Sequence, residues 1–424
     1  MLQLNYIREN KEEVINRLAI KNFKNADNII NTIIELDTNR KAAQKQADDT
    51  KAEANAMARQ IGDLMKSGKK EEAEVLKAKT GELKNTEKVL DDKQKSIEAE
   101  IQLLLVTVPN LPHSSVPTGK GAEDNTVVLE FGDKPQLPAN AKPHWELTSK
   151  YDIIDFEMGV KLTGAGFPVY KGKGARLQRA LINFFLDRAT ARGYNEVQPP
   201  ILVNEDSGYG TGQLPDKEGQ MYHATVDNLY LIPTAEVPIT NMYRDVILKE
   251  SDFPIKNCGY TPCFRREAGS YGKDVRGLNR LHQFDKVEIV QIAHPAESYK
   301  ILEDMKDYVA DLLKELGLPF RILKLCGGDM SFGSALTYDL EVWSAAQQRW
   351  LEVSSVSNFE TFQTNRLKCR YKDDKGKTQL AHSLNGSALA LPRIVAALLE
   401  NYQTEDAITI PKALVPYCGF ERIS

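Results

Sequence analysis

No proline occurs before Pro109, and no phenylalanine, tyrosine or tryptophan lies between Phe23 and Phe131. A stretch without helix breakers or large aromatic anchors has too little apolar surface for a globular core and favours long helices. No run approaches the roughly eighteen apolar residues of a membrane span. The opening MLQLNYIRENKEEV also lacks the apolar centre of a signal peptide, so a cytoplasmic protein that does not enter a membrane is expected. Five cysteines, at 258, 263, 326, 369 and 418, form no disulfide framework and fit a reducing compartment. The six histidines are scattered, no CxxC or HxxxH is present, and Cys258 with Cys263 lacks a second pair, so no zinc site is expected. Neither GxxxxGK[ST] nor GxGxxG occurs at a strand–helix junction, so a P-loop or Rossmann nucleotide site is not supported. The net charge of −4 exerts no global pull on nucleic acid, so any RNA contact must come from local patches.

At 424 residues the chain can hold two domains. The composition divides them into a helical region over 1–105, a linker over 106–125 and a mixed region over 126–424. Residues 26–65 and 69–105 are rich in Ala, Lys, Glu and Gln, which are strong helix formers. Leu76, Leu83, Leu90, Ile97 and Leu104 recur every seven residues, and Ile33, Ala47, Ala54 and Ile61 share such a register. That spacing predicts an antiparallel coiled-coil hairpin reversing at Ser67-Gly68, each helix about 55 Å long. A plain dimerisation coiled coil and an arm that grips a long RNA both fit it. For the second, Lys41, Lys45, Lys51, Arg59, Lys66, Lys69 and Lys70 are the candidate phosphate contacts, although acidic residues are as frequent along the shaft.

Beyond the proline-rich 106–125 stretch, Leu177–Arg192, Ala296–Leu316 and Arg393–Tyr402 read as helices. Strand-like runs cover 196–203, 228–232, 260–267, 284–292, 320–325, 337–343 and 349–356. Few strand–helix–strand alternations occur, so the fold class is α+β with an antiparallel sheet.

The segment FRREAGSYGKDVRGLNRLHQFDKVEIV, from Phe264 to Val290, carries most of the chemical information. Its ends alternate like the strands of a hairpin, around a long glycine-containing loop. Arg265, Arg266, Lys273, Arg276 and Arg280 gather there, with Glu267 and Glu288 placed on the strands. Guanidinium forks suit phosphate, and an exposed Phe284 offers a base a stacking face. A solvated hairpin with a weak Arg265–Glu267 surface pair is the bland alternative, and Phe284 is equally compatible with a core position.

This segment resembles motif 2 of the class II aminoacyl-tRNA synthetases, in the form found in seryl-tRNA synthetases. Other stretches resemble that family in chain order: GYNEVQPP at 193–200 (motif 1), Thr234-Ala235-Glu236, Glu352-Val353-Ser354-Ser355 with Ser357-Asn358, and NGSALALPR at 385–393 (motif 3) followed by ENYQ. The resemblance covers nearly the whole chain. It departs at Tyr271, Lys273 and Pro392, the last tolerable in a helix's first turn.

The resemblance implies a class II synthetase-like sheet flanked by helices and preceded by the coiled-coil arm. It implies a homodimer that activates L-serine with ATP and loads it onto tRNA(Ser), with tRNA(Sec) as an optional second acceptor. The implied catalytic residues are Arg265, Glu352 and Arg393. ATP binding falls to Arg265, Arg266, Glu267, Phe284, Glu352, Val353, Ser354, Ser355 and Arg393. Serine binding falls to Thr234, Ala235, Glu236, Arg265, Glu288, Asn385 and Ser387, and Mg²⁺ to Glu352 and Ser355, whose oxygens it prefers. Singly, each has an ordinary reading: Arg393 as a surface arginine, Glu352 as a solvent-facing carboxylate, Glu236 as a strand-end charge. Two rivals are a paralogue that loads a carrier protein, which lacks such an arm, and an RNA-binding scaffold with a degenerate enzyme domain. The second rival is expected to have lost Arg265, Glu267, Glu352 or Arg393, and all four are present.

Overall fold

The computed structural model describes residues 1–216, 219–267 and 276–424. It divides into two compact units, Met1–Ala19 with Phe23–Pro109, and Ile20–Asn22 with Asn110–Ser424. The first unit is dominated by helix α1 (Ala26–Lys66) and helix α2 (Lys70–Leu105). The chain reverses through Ser67–Lys69, where Gly68 takes φ +78°, a left-handed conformation that glycine adopts without strain. Ion pairs Arg40–Glu98, Lys51–Glu87 and Glu53–Lys79, at 3.9, 3.9 and 3.8 Å, mark the antiparallel register.

Ile33, Ala47 and Ala54 are buried on α1 and Ile61 is half-buried, as the heptad spacing predicts. On α2 the predicted leucines supply one line of the seam. The other line is Ala73, Thr80, Glu87, Gln94 and Ile101, which alternates with the first at three- and four-residue steps. Its mixed polarity gives no apolar repeat in the sequence. Asp37 also lies in the α1 seam at 3% exposure. Its buried charge is met by Arg8, Arg40 and Lys41 at 3.1, 2.8 and 3.0 Å, without which it would be costly.

The second unit is built on one eight-stranded sheet. Its strands are β1 (Thr126–Phe131), β2 (Asn195–Glu196), β3 (Ile255–Phe264), β4 (Gln283–Ala293), β5 (Phe320–Lys324), β6 (Leu336–Ser344), β7 (Arg349–Glu360) and β8 (His382–Ala390). They lie in the order β1-β5-β6-β7-β8-β4-β3-β2, and every neighbouring pair but β3–β2 is antiparallel. Five helices matter for the site: α3 (His144–Lys150), α4 (Gly172–Ala191), α5 (Glu236–Asn241), α6 (Ser298–Glu315) and α7 (Leu391–Asn401).

The two-residue period of β4 sorts its side chains. Val287 and Ile289 join the main core with Leu177, Phe184 and Phe185 of α4, Leu302 and Val309 of α6, and Ile394 and Leu398 of α7. Lys286, Glu288 and Val290 point to the opposite face, where Val290 packs on Ala235 and Ile239 at α5, while the half-buried Phe284 ring also packs against the main core. Strand β8 follows suit: Leu384 and Ala388 enter the core, while Asn385 and Ser387 pair with Val290 and Glu288.

Strand β8 is central to the sheet yet was not among the strand-like runs. Its SLNGSALA sequence has low β propensity, and tertiary packing overrides it. At Gly386 an added Cβ would lie 3.1 Å from Val356, so a larger residue here requires Val356 to shift by a few tenths of an ångström. From Asn110 onward the stretch expected as a linker is bonded into this unit, with Asn110 N–H donating to Phe332 O and His113 N–H to Ala335 O. Glu267 is not on a strand: β3 ends at Phe264, and Glu267 adopts φ +47°.

Candidate active site

Strand register gathers the predicted residues at one end of the sheet. Phe264 at the end of β3 pairs with Gln283 at the start of β4, and Lys286 pairs with Ala390 at the end of β8. Val356 of β7 pairs with Gly386, which brings Glu352 level with the end of β8. Arg265, Phe284, Arg393 and Glu352 thus sit at the same end of four adjacent strands. At about 4.8 Å per strand the group spans roughly 14 Å.

Beside them lies a buried polar wall. Lys286 Nζ bonds Thr234 Oγ1 at 2.9 Å and Glu288 Oε2 at 2.6 Å, and Thr234 Oγ1 donates to Glu288 Oε2 at 3.2 Å. Gln363 Nε2 donates to Glu236 Oε1 at 2.6 Å, and Gln363 in turn accepts from Ser383 Oγ at 2.7 Å. Burial, and then repulsion from Glu288, push the Glu236 carboxyl up to about 7. Burial likewise raises Glu288, against the opposing pull of Lys286 and Arg265. The two acids are countered by Lys286 and Arg265. Ser387 opposes Glu288, and Asn385 lies two residues along the same face. Ala235 is buried and contributes packing.

Arg265 faces this wall. Its Nε donates to Pro233 O at 3.3 Å, its guanidinium lies 5.3 Å from the Phe284 ring, and its charge is felt by both Glu236 and Glu288. Arg393 Nε donates to Asn279 O at 3.0 Å and Nη1 to Glu352 O at 2.7 Å, with the Glu352 carboxylate 3.5 Å away. The other hairpin cations spread out. Arg266 stacks 6.0 Å from the Tyr222 ring, Arg276 lies 4.7 Å over Trp145, and Arg280 pairs with Glu267 at 3.3 Å. Lys273 and Tyr271 lie outside the described residues. The Arg265–Glu267 surface pair is replaced by Arg280–Glu267.

Glu352 and Ser355 stand close to an acid that the sequence reading missed. Asp339 on β6 pairs with Ser355 of β7, and it is raised well above the usual carboxylate range by burial and by the charge of Glu352. Its Oδ1 is buried without a hydrogen-bond partner. Such an oxygen is of the hard type that divalent cations prefer, although the described residues hold no group of three acid, histidine or cysteine side chains placed for a metal ion. Val353 and Ser354 turn the other way: Val353 is in the core, and Ser354 Oγ donates to Ser387 O at 2.6 Å. Only their backbone can face a nucleotide.

Lys286, Gln363, Asn279 and Asp339 were not anticipated. Lys286 was detectable, since it alternates in step with Phe284 and Glu288 along the strand. Gln363 and Asp339 come from remote segments and carry no local signal.

Residues 221–402 match the class II tRNA synthetase core domain (G, H, P, S and T), and residues 1–112 match the seryl-tRNA synthetase N-terminal domain. The chain is 51% identical to the serine–tRNA ligase of Salinibacter ruber, over 100% of this chain and 99% of that protein. It is 47% identical to that of Geobacter sulfurreducens, over 99% of each. The seryl-tRNA synthetase of Pyrococcus horikoshii, solved complexed with ATP, superposes with a TM-score of 0.94 at 33% identity, over 100% of this chain and 99% of that one. With the predicted motifs assembled on one antiparallel sheet, the chain belongs to the seryl-tRNA synthetases, aminoacyl-tRNA-forming ligases that act on serine.

Proposed function

We propose that this ligase forms seryl-adenylate at the sheet end bearing Arg265, Phe284, Glu352 and Arg393. The observation that carries the reading is the convergence of two arginines from distant segments beside the Thr234–Glu236–Lys286–Glu288 wall. The serine carboxylate, already ionised, attacks the α-phosphorus of ATP and expels pyrophosphate, so the main task is to bring two anions together. Arg265 bridges the carboxylate and the α-phosphate with its two-pronged donor face. Phe284 stacks on the adenine, Glu267 accepts from the adenine amino group, and Arg393 neutralises the γ-phosphate. Arg266 and the backbone of Val353 and Ser354 complete the nucleotide contacts. Glu352 and Ser355, with Asp339, would hold Mg²⁺, which offsets phosphate charge when bound. The tRNA's terminal ribose hydroxyl then attacks the seryl carbonyl and releases AMP.

Serine is selected by polar groups that alanine would leave unpaired, with Thr234, Glu288, Asn385 and Ser387 reaching its hydroxyl and ammonium. Threonine must be refused by lack of space, a discrimination of roughly 10–200-fold per methyl-sized group. Pyrophosphate exchange measured across the standard amino acids is expected to show serine alone as an efficient substrate. Efficient exchange with another amino acid and none with serine would overturn the reading.

The Glu236 carboxyl makes serine binding pH-dependent. Its pKa is raised to about 7 in the free protein, first by burial and then by Glu288. A bound ammonium favours the ionised form and lowers that pKa, so serine affinity is complete above about 7 and is lost as pH falls below it. KM for serine should therefore rise by up to about tenfold per pH unit below 7. Glu236→Gln should raise KM and flatten this dependence; a profile still as steep in that variant would assign the titration elsewhere.

The coiled-coil arm is read as the grip on tRNA(Ser), with tRNA(Sec) as a second acceptor to be tested in the same charging assay. Lys41, Lys51 and Lys69 are engaged in ion pairs with Asp37, Glu87 and Glu72. Lys45, Arg59, Lys66 and Lys70 are exposed and have no ion pair among the described residues, which favours them as phosphate contacts. A homodimer is proposed from motif 1, and it is supported by exposed apolar side chains at Met158, Val160, Leu162, Ile201 and Leu202. Five buried thiols suit a reducing cytoplasm.

A further inference from the structure

Helix α3 begins at a histidine with no solvent exposure, His144, packed against an equally buried acid, Glu400 near the end of α7. The ring Nδ1 lies 2.8 Å from Glu400 Oε1, which also accepts the His144 backbone N–H at 3.0 Å. At the far side of the ring, Nε2 lies 2.9 Å from the backbone nitrogen of Leu278. A backbone N–H can only donate, so Nε2 offers its lone pair and the ring proton sits on Nδ1, given to Glu400. Glu400 Oε2 accepts from Ser344 Oγ, and Oε1 also accepts from Gln347 Nε2 at 3.0 Å. Gln347 Oε1 accepts from Asn279 Nδ2 at 3.0 Å.

The neighbours of Leu278 are held by the same helix. Gly277 has φ +64°, and a Cβ added there would lie 2.3 Å from His144 Nε2. The Arg276 guanidinium covers the Trp145 ring at 4.7 Å. The backbone carbonyl of Asn279 then accepts from Arg393 Nε at 3.0 Å. Arg393 and Glu400 lie on the same helix α7, so the contacts form a closed circuit through His144, Leu278 and Asn279.

We propose that His144 and Glu400 are positioning residues: they latch residues 276–279, the returning limb of the motif 2 hairpin, and so fix the carbonyl that aims Arg393 at the triphosphate. The inference rests on the ATP role given above to Arg393. A buried polar pair is a poor source of net stability, because apolar replacements of similar shape are often as stable. What it supplies is one orientation, with the ring nitrogens of His144 and both oxygens of Glu400 committed. The serine wall is held by separate bonds among Thr234, Lys286, Glu288, Glu236 and Gln363, so loosening the latch leaves it in place.

The test is pyrophosphate exchange by His144→Ala and His144→Gln, with KM determined separately for ATP and for serine. Supporting groups removed in this way cost on the order of 10–100-fold. His144→Ala should raise KM for ATP by about tenfold or more, while KM for serine and affinity for a non-hydrolysable seryl-adenylate analogue, which lacks the γ-phosphate, change less than about twofold. Glutamine can present its amide oxygen where Nε2 stood and accept from Leu278 N–H, so His144→Gln should recover most of the ATP KM. Both KM values rising together in step with a lower melting temperature would overturn the latch, as would a glutamine variant no better than alanine. If the wild type itself shows no serine-dependent exchange, the underlying reading fails instead.

Discussion

Arg265→Ala should lose serine-dependent pyrophosphate exchange by at least about a thousandfold, equivalent to roughly 4 kcal/mol of transition-state stabilisation. This guanidinium is oriented by the Pro233 carbonyl and the Phe284 ring, and its field reaches both acids of the serine wall. Its removal takes away the one group read as touching both reacting anions. It also leaves Glu236 and Glu288 with Lys286 as their main counter-charge. Arg265→Lys restores a charge but not the paired donors, so it should stay well below the wild type. Arg265 lies beyond the end of β3 and is only partly buried, so the melting temperature should hold. Exchange within about tenfold of wild type in the alanine variant would remove Arg265 from the reaction.

Excision of residues 45–93, joining Gln44 to Gln94 by a short Gly-Ser link, should leave exchange intact and cripple charging of tRNA. The ion pairs Arg40–Glu98 and Lys51–Glu87 show that these two points face each other across the hairpin, so the link is short. The buried base around Ile30, Ile33, Ile97 and Ile101 is retained. The excised part carries Lys45, Arg59, Lys66 and Lys70, and losing several phosphate contacts costs orders of magnitude at physiological salt. A fall of about a hundredfold or more in kcat/KM for tRNA is expected, or roughly 2.7 kcal/mol. Undiminished charging by the excised variant would show that the arm serves another purpose.

Both variants draw on features that were unequally legible in the sequence. The coiled coil was plain because Leu76, Leu83, Leu90 and Ile97 repeat in register, although the line containing Thr80, Glu87 and Gln94 escaped notice. Strand β8 was invisible as a strand: Asn385, Gly386 and Ser387 have weak strand preference and are held there by Val356 and Ile289 on either side. Arg265, Glu236, Glu288 and Arg393 were legible because each falls in a dense local motif. Gln363 and Asp339 act through partners on other segments of the chain, and no local pattern encodes such pairs. The latch at His144 is of the same kind, with Glu400 lying 256 positions away. Glu267 was misplaced onto a strand because charge alternation continues past Phe264, while the backbone turns to φ +47°.

Arg265 and Arg393 are proposed to divide one triphosphate between them. Equilibrium titration of the wild type, Arg265→Ala and Arg393→Ala with ATP and with a non-hydrolysable seryl-adenylate analogue tests this most directly. Arg393→Ala should weaken ATP alone, since the analogue has no γ-phosphate, and Arg265→Ala should weaken both. Equal weakening of both ligands by Arg393→Ala, or unchanged binding of both by Arg265→Ala, would contradict it.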